Sequence, residues 1–129
     1  CDGNIQALIP LWLGAGLNCM FPYEVNPGND LLQNRKEFGR DLLFIGGFNK
    51  FVLHESKEAI LAELRKLEPL LEDGGFIPHI DHRCPDGVQF EMYRYYTKEK
   101  CHLLGMSEDE IAQIPALGGM LRDPALVSL

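Results

Sequence analysis

The sequence predicts an α/β fold in which a parallel sheet is covered on its faces by helices. Three short apolar segments, each followed by a segment with helical spacing, alternate along the chain and are joined by short loops rich in Gly, Asn and Asp. The 129 residues are 46% hydrophobic, which suffices for one domain with its own core and is too much for a disordered chain.

The helices are predicted from apolar residues that recur at spacings of three and four. In residues 56–67, Ile60 and Leu64 share one side of a helix and charged residues take the other. Asn29 is expected to cap the second helix, and Gly39 to end it. The predicted helices cover residues 5–13, 30–38, 56–67, a short turn from residue 69, 89–104 and 107–114.

The strands are predicted from short apolar runs that end at glycine or at turn residues. The first lies between Gly16 and the Asn-Pro-Gly turn at 26–28, and the second ends in the pair Gly46 and Gly47. No apolar run approaches the roughly 18 residues of a membrane span. The predicted strands cover residues 17–25, 41–47 and 76–80.

The α/β pattern occupies residues 1–106, and residues 107–129 form a separate C-terminal extension. Ser107 and Glu110 make a capping box that opens a short helix, and from residue 115 the chain is apolar without periodicity. We expect this helical and irregular extension to serve as an interaction segment.

Charge and cysteine usage restrict the class of protein. With 12 basic and 19 acidic residues, the net charge is 12 − 19 = −7. The sequence contains no cluster of basic residues of the kind that binds nucleic acid or an anionic membrane. Cys1, Cys19, Cys84 and Cys101 show no disulfide framework and predict free thiols in a reducing cytoplasm, with Cys19 and Cys101 as packing residues. Because the chain starts with Cys, we expect it to begin within a longer protein.

Polar side chains gather where the predicted strands end, which is where parallel α/β folds bind their ligands. Tyr23 and Glu24 follow the first strand, Asn49 and Lys50 the second, and residues 79–84 the third. This rim of the sheet is therefore the predicted functional site.

The densest group is residues 79–84, HIDHRC, whose imidazole, carboxylate and thiol groups suit zinc or acid–base catalysis. Each has a structural alternative, in which a histidine bonds a neighbouring backbone group and Asp81 caps the next turn. Asp2 and Asn4 precede the first helix and would share this rim if a strand lay just upstream.

The remaining rim residues each have two interpretations. Glu24 is a candidate general base or ligand, or else forms a salt bridge to a rim residue such as Arg40. Lys50 is a candidate for binding an anionic substrate group, or else a solvated lysine. Tyr23 and Asn4 are the further candidates for substrate contact.

Three stretches of the chain, CDGNIQALIPLWLGAGLNCMFPYEV, GRDLLFIGGFNK and LLEDGGFIPHIDHRCPDGVQFEMYRYY, span about residues 1–104. In this order they resemble the C-terminal part of the uroporphyrinogen decarboxylase superfamily. The resemblance implies the C-terminal βα units of a TIM (β/α)8 barrel, which is incomplete here because a whole barrel needs about 250 residues.

The resemblance also implies two alternative chemistries. One branch of the family decarboxylates uroporphyrinogen in haem biosynthesis without a cofactor, and its Gly-His-Gly histidine falls on His82, which Asp81 and Arg83 flank here. The other branch uses zinc to move a methyl group from a corrinoid to a thiol or related acceptor. Its two zinc-binding thiolates fall on Asp2 and His82, and His79 and Cys84 are the further candidate ligands.

The sequence therefore supports three hypotheses about function. The favoured one is corrinoid-linked, zinc-assisted methyl transfer, with His82, Glu24 and Asp81 as the catalytic residues and a tetrapyrrole or corrinoid protein as partner. The second is uroporphyrinogen decarboxylation. The third is a non-catalytic fragment that associates with its own copies or with the missing part of the barrel. A flavodoxin-like binder is disfavoured because no GxGxxG or GxxxxGK motif is present.

Overall fold

The computed structural model describes residues 2–114, in which three parallel strands form one sheet accompanied by six α-helices and two short 3-10 helices. The α/β prediction is therefore confirmed at this level, whereas Cys1 and most of the predicted C-terminal extension lie outside the described residues. Within residues 2–114, no helix is long and apolar enough to span a membrane. The strands are β1 (Cys19–Tyr23), β2 (Leu43–Phe48) and β3 (Phe76–Ile80), and the helices are α1 (Ile9–Gly14), α2 (Leu31–Phe38), α3 (Lys57–Arg65), α4 (Glu68–Asp73), α5 (Phe90–Leu103) and α6 (Glu108–Ala112).

The strands lie side by side in chain order, β1-β2-β3, and both pairs are parallel. Met20 pairs with Phe44, and Phe44 pairs with Phe76 across the second ladder. Parallel strands are joined almost always by right-handed crossovers, so strands placed in chain order carry their connecting helices on the same face. This topology predicts a sheet that is covered on one side only.

Burial along the strands confirms the one-sided arrangement. Met20 and Phe44 are buried under the helices, whereas Phe21 and Ile77 are 57% and 59% exposed on the opposite face. The sequence-based expectation that helices cover both faces was wrong, because three strands without a reversal of strand order leave one face without helices. We call this the uncovered face, and it comprises Cys19, Phe21, Ile45, Ile77 and His79.

The local sequence patterns predicted the positions of the helices and strands well, but they predicted the wrong role for two side chains, Asn29 and Cys19. The N-cap of α2 is Asp30, whose carboxylate accepts a hydrogen bond from Gln33 N at 2.9 Å. Asn29, predicted to be that cap, is buried and joins two segments: its amide nitrogen donates to Gly3 O at 2.9 Å, and its oxygen accepts from Ile5 N at 2.9 Å. Cys19, predicted to pack in the core, is exposed.

At the amino end of the sheet, Arg35 of α2 ties together the segments that precede β2 and β3. Its guanidinium donates to Leu42 O at 3.1 Å and to Gly74 O at 3.0 Å, and it pairs with Asp73 at 3.2 Å. The side chain is only 11% exposed, so these are charge-assisted bonds in a largely dry environment.

Two glycines allow β2 to approach β1 closely. Gly46 and Gly47 have φ values of 137° and 83°, in the region that favours glycine. A Cβ atom at Gly46 would lie 2.7 Å from Tyr23 N. The glycine pair therefore brings the carboxyl ends of the first two strands together, next to the polar rim.

Candidate functional site

Asp81, directly after β3, connects the carboxyl ends of all three strands. One carboxylate oxygen accepts from Val25 N, after β1, and the other accepts from Lys50 N, after β2, both at 3.0 Å. The Asp81 backbone N–H also donates to Phe48 O at 2.8 Å. Because Asp81 is fully buried and both oxygens bind backbone, it positions the rim and does not face a substrate.

Glu24 and Lys50, after neighbouring strands, form an ion pair at 2.5 Å, with each side chain 12% exposed. The second oxygen of Glu24 accepts from Gly3 N at 3.0 Å. These bonds, first the one from Gly3 and then the one from Lys50, hold the pKa of Glu24 below its usual value. The alternative in which Glu24 forms a salt bridge to a rim residue is therefore confirmed, with Lys50 as the partner in place of Arg40, and the expectation of a solvated Lys50 was wrong.

His82 completes the rim through a contact with Asp2, in which its Nε2 lies 3.0 Å from an Asp2 carboxylate oxygen. The His82 side chain is 25% exposed, so it is accessible, and it is the smallest of the influences that lower the pKa of Glu24. An imidazole oriented by a carboxylate is a common acid–base arrangement. We call Asp2, Glu24, Lys50, Asp81 and His82 the rim cluster.

Beside the rim cluster is a pocket of about 230 Å³ that Lys50 and His82 help to line. Phe51, 46% exposed, forms part of its wall, and Arg83 brings a second permanent positive charge. The volume is below the roughly 300–1,000 Å³ of complete ligand pockets, so this pocket suits one arm of a substrate. Reasoning from the sequence missed Phe51 and the lining role of Arg83, although both directly follow predicted site residues.

Four of the predicted site residues do not join the rim cluster. Tyr23 is buried in the core, where its hydroxyl accepts a hydrogen bond from Asn34 and burial raises its pKa to about 12. Asn4 supports the loop near Pro27, to whose carbonyl it donates at 3.2 Å.

The other two are His79 and Cys84, which have different surroundings. His79 belongs to the uncovered face, where its ring contacts Phe21 edge to face and its Nδ1 lies 2.7 Å from Ile80 O. Cys84 lines the pocket, and burial, with a smaller effect of Asp86, raises the pKa of its thiol.

A zinc site requires three or four protein donors that converge on one point, with cysteine present as thiolate. Among the predicted ligands, Asp2 and His82 contact each other directly. Among residues 2–114, no group of three or more His, Cys, Asp or Glu side chains is arranged to hold a metal ion. The donors among residues 2–114, in this arrangement, therefore do not fit zinc.

The fold and the site together define a class: an α/β protein with a one-sided parallel sheet and a charged rim cluster at the carboxyl ends of its strands. Comparisons of the chain with family models, with curated proteins and with solved structures find no match.

Proposed function

We propose that this chain is the C-terminal βα part of a barrel enzyme of the uroporphyrinogen decarboxylase superfamily, and that its rim cluster catalyses decarboxylation of a carboxylate-bearing substrate. The observation that carries the proposal is the contact of His82 with Asp2, next to the ion pair of Glu24 and Lys50. This arrangement places an oriented acid–base group, His82, and a cation, Lys50, at the rim of a parallel sheet.

The one-sided sheet supports the barrel. In a barrel, helices cover only the outside of the strands, and the inner faces pack against each other. The uncovered face has this apolar character, and Asp81 draws the ends of all three strands together. The three strands would then supply part of the eight that a complete barrel needs.

In the proposed reaction, the bond between the substrate carbon and its carboxylate breaks, and the electron pair remains on the carbon as CO2 leaves. Protonated His82 then donates a proton to that carbon and is reprotonated from solvent. Asp2 orients the imidazole. Lys50, shared with Glu24, binds a second carboxylate of the substrate, and Asp81 holds the Lys50 backbone in place.

The reading frame upstream of Cys1 gives the first test, since the proposal requires that it encode the other βα units. The second test is the decarboxylation of uroporphyrinogen by the whole protein, followed by chromatography of the products. We expect His82→Asn to reduce turnover at least 100-fold, on the order of a lost general acid. His54→Asn, at an exposed histidine outside the rim cluster, is the matched control and should retain activity. Full turnover by His82→Asn would refute the role of His82.

A second candidate is corrinoid-linked methyl transfer. It is favoured by the contact between Asp2 and His82, the two residues on which the resemblance would place the thiolates of the methyltransferase branch. Because the donors among residues 2–114 do not fit zinc, this candidate requires that further ligands come from outside these residues. Metal analysis of the purified whole protein, with the absorbance change of a methyl-corrinoid on demethylation, tests this candidate. A stoichiometric zinc content together with demethylation would replace decarboxylation as the proposed reaction.

A third candidate, of a different class, is a non-catalytic module that associates with copies of itself. It is favoured by the exposure of Phe21 and Ile77 on the uncovered face and by the open sheet edges. Light scattering over a dilution series tests it: Phe21→Asp should abolish association, whereas Leu11→Asp, at a residue 67% exposed on α1, should not. A monomer at all concentrations would refute it.

A further inference from the structure

A second concave surface lies on the helical layer, between the pair α3–α4 and the end of α5. It encloses about 450 Å³ and has four leucines among its lining residues. We call it the helix groove, and its leucines are Leu61, Leu64, Leu71 and Leu103.

The edges of the helix groove carry an excess of negative charge. Glu68 and Glu72, one helical turn apart on α4, contribute two carboxylates, and Glu99 on α5 contributes a third. Arg65 is the one lysine or arginine among the described lining residues, so the three carboxylates and Arg65 together carry −3 + 1 = −2.

The basic side chains of α5 that neighbour Glu99 in sequence contact other groups. Lys98 pairs with Glu108 of α6 at 3.0 Å, and His102 lies 3.3 Å from the same carboxylate. Lys100 is partly buried, with its ammonium 5.4 Å from the centre of the Tyr96 ring. The excess negative charge of the helix groove is therefore not neutralised by these neighbours.

An apolar groove between two helices with acidic edges matches one kind of occupant by shape and by charge, namely an amphipathic helix with a basic polar face. The charge argues against an anionic membrane surface as the occupant. It also argues against a second copy of this chain, which has a net charge of −7.

The groove is remote from the rim cluster. The helices run back from the carboxyl ends of the strands, so the last turns of α3 and α5 lie toward the amino end of the sheet. An occupant of the groove would leave the rim open to substrate.

We propose that the helix groove is a docking site for a basic amphipathic helix of a partner protein. The leucines of the groove take up the apolar face of that helix, and the three glutamates attract its lysines or arginines. This surface is independent of the proposed reaction, because it shares no residue with the rim cluster.

The test uses the full chain of 129 residues and a labelled synthetic peptide. The peptide has about 14 residues, enough for about four helical turns, with leucine at positions i, i+3 and i+4 and lysine at the other positions. Binding is followed by fluorescence anisotropy, and the site by backbone amide shifts in NMR spectra. We expect micromolar binding with the largest shifts in α4 and in the second half of α5. A peptide of the same composition with scrambled order should bind at least 10-fold more weakly.

The decisive variant is the double charge reversal Glu68→Lys with Glu72→Lys, at two exposed positions. It should weaken binding at least 10-fold. The matched control is Glu55→Lys with Glu91→Lys, which makes the same change in net charge at exposed positions outside the groove and should weaken binding less than threefold.

Circular dichroism spectra and melting temperatures establish that both double variants fold. Equal losses in the two variants would reduce the effect to general charge attraction and overturn the proposal. Shifts centred on the uncovered face, or self-association abolished by the groove variant, would overturn it as well.

Discussion

Replacing Asp81 with Asn tests whether this carboxylate holds the strand ends together. The two oxygens accept hydrogen bonds from Val25 N and Lys50 N, both at 3.0 Å, in a fully buried position. An Asn side chain has one oxygen, so one of these backbone N–H groups would face an amide N–H₂ and lose its acceptor.

The magnitude follows from the number of bonds. A hydrogen bond to a charged acceptor contributes about 1.5–3 kcal/mol, and a buried N–H without a partner costs about 1–3 kcal/mol. Part of this loss of stability is offset, because burying the neutral Asn amide costs less desolvation free energy than burying the Asp carboxylate. We therefore expect Asp81→Asn to lower the free energy of unfolding by about 2–4 kcal/mol, on the scale of these two terms.

Urea unfolding followed by circular dichroism measures this difference, and the dependence on urea should keep its slope if only the stability changes. Asp86→Asn, at an exposed position in the following loop, is the control and should stay within about 0.5 kcal/mol of the wild type. A loss below about 1 kcal/mol for Asp81→Asn would refute the structural role, because even one unmet buried N–H costs about that much. If Asp81→Asn kept its stability but lost turnover, Asp81 would instead be a catalytic residue, as the sequence predicted.

Three further predictions concern the core, the amino end of the sheet and pH. Arg35→Gln should lower the free energy of unfolding by about 2–4 kcal/mol in the same urea assay, because it removes charge-assisted hydrogen bonds from a largely buried guanidinium to the carbonyls before β2 and β3; an effect below about 1 kcal/mol would contradict this role. Tyr96→Phe should be neutral or slightly stabilising, since the buried Tyr96 hydroxyl has no hydrogen-bond partner among residues 2–114. Tyr23→Phe should cost about 1–3 kcal/mol, because it leaves the buried Asn34 amide without its acceptor. Equal effects of the two substitutions in thermal unfolding would count against this distinction. Glu24 has a lowered pKa in the folded state, so its contribution to the free energy of unfolding is present above its ordinary pKa of 4.5 and is lost as pH falls through the lower folded-state value. Glu24→Gln should therefore lose less stability than the wild type on acidification below pH 4.5. Identical pH profiles of stability for the two proteins would refute this assignment.

Much of the fold follows from local patterns. The strand and helix positions were predictable because apolar periodicity and glycine punctuation are properties of neighbouring residues. The rim was predictable for a related reason, since parallel strands end at the same edge of a sheet. Glu24, Lys50, Asp81 and His82 were all found in this way, and Asp2 was added on the condition that a strand preceded it.

The roles of these residues were less predictable. Asp81 was expected to act in catalysis, but its oxygens bind two backbone N–H groups that lie 56 and 31 residues away in the chain. Tyr23 was expected at the rim, but the last residue of β1 turns its side chain into the core. A one-residue difference along a strand reverses the face, so the end of a strand alone does not indicate where a side chain points.

By itself, the sequence determined that the chain forms alternating strands and helices with its polar groups at one edge, because these depend on the spacing of apolar residues and on turn chemistry. Only the tertiary structure decided that one face of the sheet is uncovered, that Glu24 pairs with Lys50, and that Asp2 meets His82 across 80 residues of sequence. The physical reason is that burial and ion pairing depend on distances between segments far apart in the chain, which are set by how the strands order and pack.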